Sequence, residues 1–252
     1  MTTPPRPPLD EKVPLARDPR QSSGVLYDMF LAWSRETRPR VLHKWHHYFD
    51  IYERHLERYR GTDCLMLEFG VLDGGSLVMW SEYLGPKARI IGVDIDPKTK
   101  CFDGIRPNVS VMIGDQSDVA VLDRIASHGP FDIVIDDGGH TARQQISTFN
   151  RIYGSVAERG LYICEDTHTS YWSKFQDAGP GITMMEHAKK TVDDMHSIYR
   201  ERPKAYFTQP LDEREGSLTA SRFAASTFSI QFYDSIIVFE KRPRSEPWSE
   251  FR

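Results

Sequence analysis

Apolar and polar positions change rhythm near residue 61. Before it, Trp45, Tyr48, Phe49, Tyr52 and Leu56 recur at spacings of three and four. That period predicts an amphipathic helix over residues 42–60, stopped at Gly61. A shorter helical pattern covers residues 24–33. From residue 64 onward, short apolar runs alternate with helix-length stretches. The runs at 64–67, 90–93, 109–113, 133–135 and 161–164 are continuous and rich in β-branched residues, as in parallel strands covered on both faces. Stretches 76–84 and 117–127 have the length of crossover helices. Such alternation predicts an α/β fold with a doubly wound sheet and right-handed connections. After Asp166 the pattern loosens, with a helical stretch at about 182–199 and a polar segment over 210–219. It then returns to two strands, 227–232 and 235–240, joined by a turn at Tyr233 and Asp234.

The ends of the pattern set the domain organisation. Residues 1–22 combine prolines and charges and cannot bury enough apolar surface to fold alone, so they are expected to be disordered or to strap a partner subunit. Residues 23–252 are expected to form a single domain, in which 173–224 is long and loose enough to be a lid or acceptor-recognition region.

Composition narrows the class. A hydrophobic fraction of 39% with 27% charged residues is that of an ordinary globular chain. The net charge of -4, without a long basic run, argues against nucleic acid or an anionic membrane as partner. No apolar stretch approaches a membrane span, and the start of the chain lacks the apolar segment of a signal peptide. The three cysteines, Cys64, Cys101 and Cys164, cannot all pair within the chain, and reduced thiols in a cytoplasmic protein are expected. The proline-rich start and the aromatic helices before Gly61 suggest a homodimer or higher homo-oligomer.

Candidate chemistry begins where the first strand ends, in Glu68, Gly70, Gly74, Gly75 and Ser76. Glycines let the backbone turn sharply under a ligand, and the helix that follows offers free N–H groups. The spacing departs from G-x-G-x-x-G, since three residues separate Gly70 from Gly74. Asp94 closes the second strand about 20 residues later, where a carboxylate accepts bonds from ribose hydroxyls. Asp115 and Gln116 follow the third strand, where an adenine edge would lie. All of these fall at carboxyl ends of strands, the ligand-binding edge of open sheets.

A second cluster follows. The fourth strand ends in Asp136, Asp137, Gly138, Gly139 and His140, and the fifth in Glu165, Asp166, Thr167 and His168. Carboxylates gathered at adjacent strand mouths repel one another unless a cation lies between them. Mg²⁺ accepts two or three carboxylate oxygens and keeps other sites for water or substrate, and Mn²⁺ would accept the same ligands.

These residues resemble the cofactor positions of class I S-adenosylmethionine-dependent methyltransferases. That resemblance implies a mostly parallel seven-stranded sheet with N-terminal helices, closed by an antiparallel C-terminal hairpin. It places Gly70 under the methionine portion, Ser76 near its carboxylate, Asp94 on the ribose and Asp115 by the adenine. Glu68, Gly74, Gly75, Gln116 and Asp136 are counted with the same site. A closer resemblance, over about residues 44–172, is to metal-dependent macrolide-sugar O-methyltransferases of the mycinamicin and tylosin type. It rests on Lys44 and Trp45, the Gly-Gly-Ser loop, the Asp137-x-x-His140 spacing, Glu165 with Asp166, and the run from Thr169 to Trp172. It implies that Asp137, Glu165 and Asp166 ligate Mg²⁺ and that His140 is the general base. Actinobacterial enzymes that methylate mannose units of polysaccharides are similar more loosely.

The expected activity is therefore transfer of a methyl group from S-adenosylmethionine to a hydroxyl of a saccharide or glycosylated small molecule. The metal would chelate neighbouring hydroxyls while His140 collects the proton. His168, Tyr171 and Trp172 are weaker candidates for the acceptor wall. His46 and His47 point apart on a helix and are not expected to share a metal. Three other readings stay open at this point: a catechol or other vicinal-diol acceptor, a nucleotide-dependent oxidoreductase, and a non-enzymatic protein that keeps the fold.

Overall fold

The apolar runs after residue 64 are strands, and helices cover both faces of the sheet they build. The computed structural model describes residues 12–33 and 40–250. Strands β1 (Leu65–Phe69), β2 (Arg89–Asp94), β3 (Val109–Ile113), β4 (Phe131–Asp136) and β5 (Val156–Cys164) pair in parallel. The late strands β6 (Thr227–Phe232) and β7 (Ile237–Lys241) form the hairpin, and β7 inserts antiparallel beside β5. The seven-stranded order is β3-β2-β1-β4-β5-β7-β6. The chain thus winds outward from β1 in one direction, then restarts at β4 and winds in the other. Ligands of open α/β sheets bind at that reversal, between β1 and β4.

Side chains alternate between two cores. On one face Met66, Ile90, Ile133 and Ile163 pack with Tyr52 of helix α2 (Phe49–Leu56) and Trp80 of helix α3 (Gly75–Leu84). Helix α1 (Val25–Leu31) adds Leu26 and Tyr27 to this layer. On the other face Leu67, Val134 and Tyr162 pack with three later helices, through Leu122 of α4 (Val119–Ala126), Phe149 of α5 (Ala142–Ile152) and Met184 of α6 (Met184–Met195). Two-sided cover explains why β1 is buried at all five positions instead of alternating. Asp118 caps α4, and Thr141 with Gln144 forms a capping box at α5.

The N-terminal half departs from the expected helices. Residues 42–60 are not one helix: residues 41–45 form no regular element, and α2 runs only from Phe49 to Leu56 between two short 3₁₀ turns. This irregular piece is held by tertiary bonds that periodicity does not register. The Val41 N–H donates to Asp73 Oδ2 at 2.6 Å, and the Val41 carbonyl lies where a side chain on Gly75 would project. Of the expected N-terminal strap, residues 1–11 lie outside the described residues. Near its end, Ser22 donates to the His46 carbonyl at 2.6 Å and the Ser23 N–H to Asp50 at 2.9 Å, pinning the chain to the start of α2.

Within the loose region, α6 turns Met184 and Ala188 into the core. Three short helices follow it: α7 (Ile198–Glu201), α8 (Lys204–Thr208) and α9 (Arg222–Ser226). Cys64, Cys101 and Cys164 are free thiols, and only Cys101 is exposed. No helix among the described residues is long and apolar enough to cross a membrane.

Candidate active site

The carboxyl ends of β1, β2 and β4 open onto a cavity of about 390 Å³ at the reversal of the sheet. Its floor is the turn after β1. Gly70 has φ of +94°, and a β-carbon there would lie 2.1 Å from the Asp137 carbonyl oxygen. Only glycine satisfies both conditions. The Asp94 carboxylate secures the turn, with Oδ2 accepting from the N–H groups of Val71 at 2.9 Å and Leu72 at 3.0 Å. Its other oxygen accepts from the Asp96 N–H at 2.9 Å. Asp94 therefore holds the loop and also borders the cavity. Asp115 is similar: Oδ1 accepts from the N–H and the hydroxyl of Ser117, and the residue lines the cavity.

Several expected cofactor residues act from behind the wall. Glu68 is fully buried, and its carboxylate accepts from Ser76 Oγ at 2.7 Å and Trp80 Nε1 at 2.9 Å. Burial pushes the Glu68 carboxyl up to about 7, against the charge of Lys44. Asp136 is also enclosed, accepting from Gln116 Nε2 and Tyr162 Oη, each at 2.9 Å. Burial raises its carboxyl to about 7 despite those bonds. Gln116 Oε1 accepts from the Gly139 N–H at 3.0 Å, so one amide ties the ends of β3 and β4 together. A side chain on Gly138 would collide with that same Oε1 atom. Ser76 lines the cavity. Glu68, Gly74, Gly75 and Asp136 support it without lining it.

The acid cluster lies beside this floor. Ligand atoms of Asp137, His140 and Asp166 all fall within 4.8 Å of one another. His140 Nε2 is 3.9 Å from Asp137 Oδ1 and 3.5 Å from Asp166 Oδ2. His140 and Asp166 both adopt left-handed backbone, with φ of 59° and 53°. Non-glycine residues take that conformation at a cost, and here it turns both side chains to the same spot. Asp166 is fixed by Tyr48 Oη, which donates to Oδ1 at 2.6 Å. The buried Nδ1 of His140 has no hydrogen-bond partner among the described residues.

Glu165, expected as a metal ligand beside Asp137 and Asp166, meets a different partner here. It is buried and lines no part of the cavity, and it is not one of the three converging residues. Its carboxylate instead accepts from Lys44 Nζ at 3.0 and 3.2 Å. Lys44 also donates to Asp137 Oδ2 at 2.5 Å and lies 3.8 Å from Glu68. Burial would depress the Lys44 ammonium, yet Asp137, Glu165 and Glu68 hold it above its ordinary range. Burial, then the charge of Asp137, pushes the Glu165 carboxyl well above its own, against Lys44.

Sequence reasoning assigned no role to Lys44 and missed Tyr48 and Ser235 altogether. Lys44 sits in what reads as a helix, and Tyr48 in what reads as a core stripe. Ser235 lies in the β6–β7 turn, and its hydroxyl is 2.8 Å from Tyr48 Oη, whose one proton goes to Asp166, while it also meets His168 Nδ1. His168 packs edge-on between Trp45 and Trp172, at ring-centroid distances of 5.5 and 4.6 Å. Tyr171 points outward and is 69% exposed, so it is not part of that aromatic group. His46 and His47 do diverge, toward Tyr27 and Asp234.

Residues 67–167 match a family model described as a methyltransferase domain. The chain is 35% identical over 215 residues to a 3'-O-methyltransferase of rhamnosylated tetracenomycin C from Streptomyces olivaceus, covering 80% of this chain and 51% of the relative. It is 41% identical over 132 residues to the mycinamicin VI 2''-O-methyltransferase of Micromonospora griseorubida, covering 49% of this chain and 32% of the relative. A solved structure of the methyltransferase MycE from the mycinamycin pathway, in complex with Mg, SAH and mycinamycin VI, superposes with a TM-score of 0.67 at 29% identity. That match covers 84% of this chain and 52% of MycE. The chain spans about half the length of the curated relatives it matches over most of its own. The chain has the fold of class I methyltransferases and resembles, over most of its length, the sugar O-methyltransferases of macrolide and tetracenomycin biosynthesis.

Proposed function

We propose that the protein transfers a methyl group from S-adenosylmethionine to a hydroxyl on the sugar of a glycosylated small molecule, using a divalent cation. The observation that carries this reading is the convergence of Asp137, His140 and Asp166 beside the cavity floored by the glycine turn. The names of the relatives support the acceptor class, since they are O-methyltransferases of tetracenomycin and mycinamicin sugars.

The donor set suits a hard cation such as Mg²⁺ or Mn²⁺, with two carboxylates side by side and room for other oxygens. Asp137 and Asp166 would hold it. Bound there, a cation would orient neighbouring hydroxyls of the acceptor and make one of them easier to deprotonate. His140 Nε2 faces the same spot and would collect the proton as a general base. The turn from Gly70 to Ser76 would seat the donor, with Asp94 on its ribose and Asp115 at its adenine. Asp136, Gln116 and Glu68 keep that seat rigid. The sulfonium supplies a methyl group that needs only an in-line nucleophile, so fixed positions account for much of the rate. His168 and Trp172, with Trp45, would offer an apolar face to a pyranose ring.

The test is an acceptor panel of deoxyhexosyl polyketides, their aglycones and simple catechols, with S-adenosylmethionine and Mg²⁺, read by mass. Gain of one methyl on the glycosides alone, abolished by a chelator, is expected. Methylation of catechols with the glycosides untouched would overturn the acceptor class, and chelator-resistant transfer would overturn the metal.

A further inference from the structure

We infer that Gln116 is a positioning residue for His140: its side-chain amide sets the path of the Gly138–Gly139 backbone that presents the imidazole to the acid cluster. The inference deepens the reading of His140 as general base and rests on it.

Three observations carry it. First, the chemistry around the amide leaves it one orientation. The Gly139 N–H can only donate, so the atom that faces it at 3.0 Å is the amide oxygen. The amide nitrogen then lies on the other side, 2.9 Å from Asp136 Oδ1 and 3.2 Å from Thr148 Oγ1. Thr148 gives its own proton to the Gln116 main-chain carbonyl at 3.3 Å, so its oxygen is free to accept. The side chain is buried, and both ends of the amide are answered by fixed parts of the sheet and of α5. Second, the glycines before His140 fit two glutamines. A β-carbon on Gly138 would collide with Gln116 Oε1, and one on Gly139 with the amide of Gln144. Gln144 is itself held in the capping box with Thr141. The two residues that lead to His140 are thus gripped between side-chain amides, which only a chain without β-carbons permits. Third, His140 stands in left-handed backbone with φ of 59°, a conformation that persists where its surroundings over-determine it. Its carbonyl accepts from Thr169 Oγ1 at 2.9 Å, and the peptide before it is held by Gln116.

Without that amide the peptide ahead of His140 is free to turn, and the imidazole leaves its place between Asp137 and Asp166. A reacting group displaced by about 1 Å can lose on the order of 10²-fold in rate. Gln116 also borders the cavity, so a direct contact with the donor is the competing role.

The test uses wild type, Gln116→Met, His140→Ala and the double variant. Methionine keeps the length of the side chain and removes both hydrogen-bonding atoms. Amide exchange at Gly139 in Gln116→Met should quicken by at least about tenfold, while β1 and β4 exchange as slowly as in wild type. Affinity for S-adenosylhomocysteine should stay within about threefold of wild type, and single-turnover methyl transfer to a deoxyhexosyl polyketide should fall by about 10–100-fold. In the His140→Ala background the same substitution should cost less than about threefold more, because both changes then remove one function. Unchanged exchange at Gly139 would overturn the inference. So would donor-product affinity that falls as far as the rate, or a full further loss of rate in the His140→Ala background. If Gln116→Met does not fold, Gln116→Glu keeps an oxygen for the Gly139 N–H: retained protection there would uphold the inference, and its loss would overturn it. Turnover of His140→Ala near that of wild type is the separate outcome that would overturn the base reading, and this inference with it.

Discussion

Tyr48 and Asp166 are joined by a 2.6 Å hydrogen bond that spans 118 residues of sequence. Tyr48 is fully buried, and burial together with Asp166 raises its hydroxyl far above the ordinary range, so it stays a donor at any working pH. The bond holds a carboxylate whose own backbone is in a disfavoured conformation. Tyr48→Phe removes the donor and keeps the ring. We expect a loss of about 1.5–3 kcal/mol in stability by denaturant unfolding, the usual worth of a bond to a charged group. Mn²⁺ affinity should fall with it, since Asp166 is then free to turn away.

Gly70 gives a backbone prediction. Alanine there must accept a positive φ and a β-carbon 2.1 Å from the Asp137 carbonyl oxygen. Relief requires β1 and the end of β4 to separate. Gly70→Ala should be destabilised by more than about 2 kcal/mol, and binding of S-adenosylhomocysteine by calorimetry should drop at least tenfold. Unchanged affinity would mean that the donor does not sit on this turn.

His140 separates chemistry from binding. His140→Ala should keep its fold and its affinity for S-adenosylhomocysteine, because the donor seat is built from other residues. Single-turnover methyl transfer should fall by about 10²–10⁴, the range for loss of a general base. Turnover near that of wild type would remove the base assignment.

His55 supplies the pH dependence. It is buried against Tyr233, with Nε2 3.0 Å from the phenol oxygen. Burial, then the charges of Arg54 and Arg58, lowers its pKa from 6.5 to about 4. The unfolded chain thus binds a proton more readily than the folded one. The neutral ring's contribution to stability is full above about pH 6.5 and is lost as pH falls through about 4. The upper bound is about 3 kcal/mol. Urea unfolding at about pH 7.5 and pH 4.5 should show wild type losing more stability in acid than His55→Gln does.

Legibility in the sequence followed the range of the interactions concerned. β1 to β5 were readable because strands covered on two faces must be apolar throughout, and that leaves continuous runs. The carboxylates at their ends were readable for the same reason, since Asp94, Asp136 and Glu165 each follow such a run directly, with Asp137 and Asp166 one residue further on. Residues 42–48 were misread because their periodicity is genuine but is used differently. Tyr48 packs with the core while residues 41–45 form no helix, their path held by Asp73 and by close approach to Gly75. The Lys44 contact to Glu165 crosses 121 residues, and no local pattern encodes it. Glu165 and Asp166 are neighbours in sequence, but the left-handed backbone at Asp166 sends them to different partners, one to Lys44 and the other toward His140.

The β6–β7 turn places Ser235 between Tyr48 and His168. During synthesis the acidic strand ends leave the ribosome long before this serine does, whereas Lys44 leaves ahead of them. A nascent chain can therefore quench its buried acids early, with the lysine already at hand, but it cannot orient Asp166 until the last hairpin has docked. Ordering of the catalytic edge is deferred to the final stage of folding, and contacts this distant in sequence are slow to form. A partly made chain would lack both the β7 share of the core and a finished site.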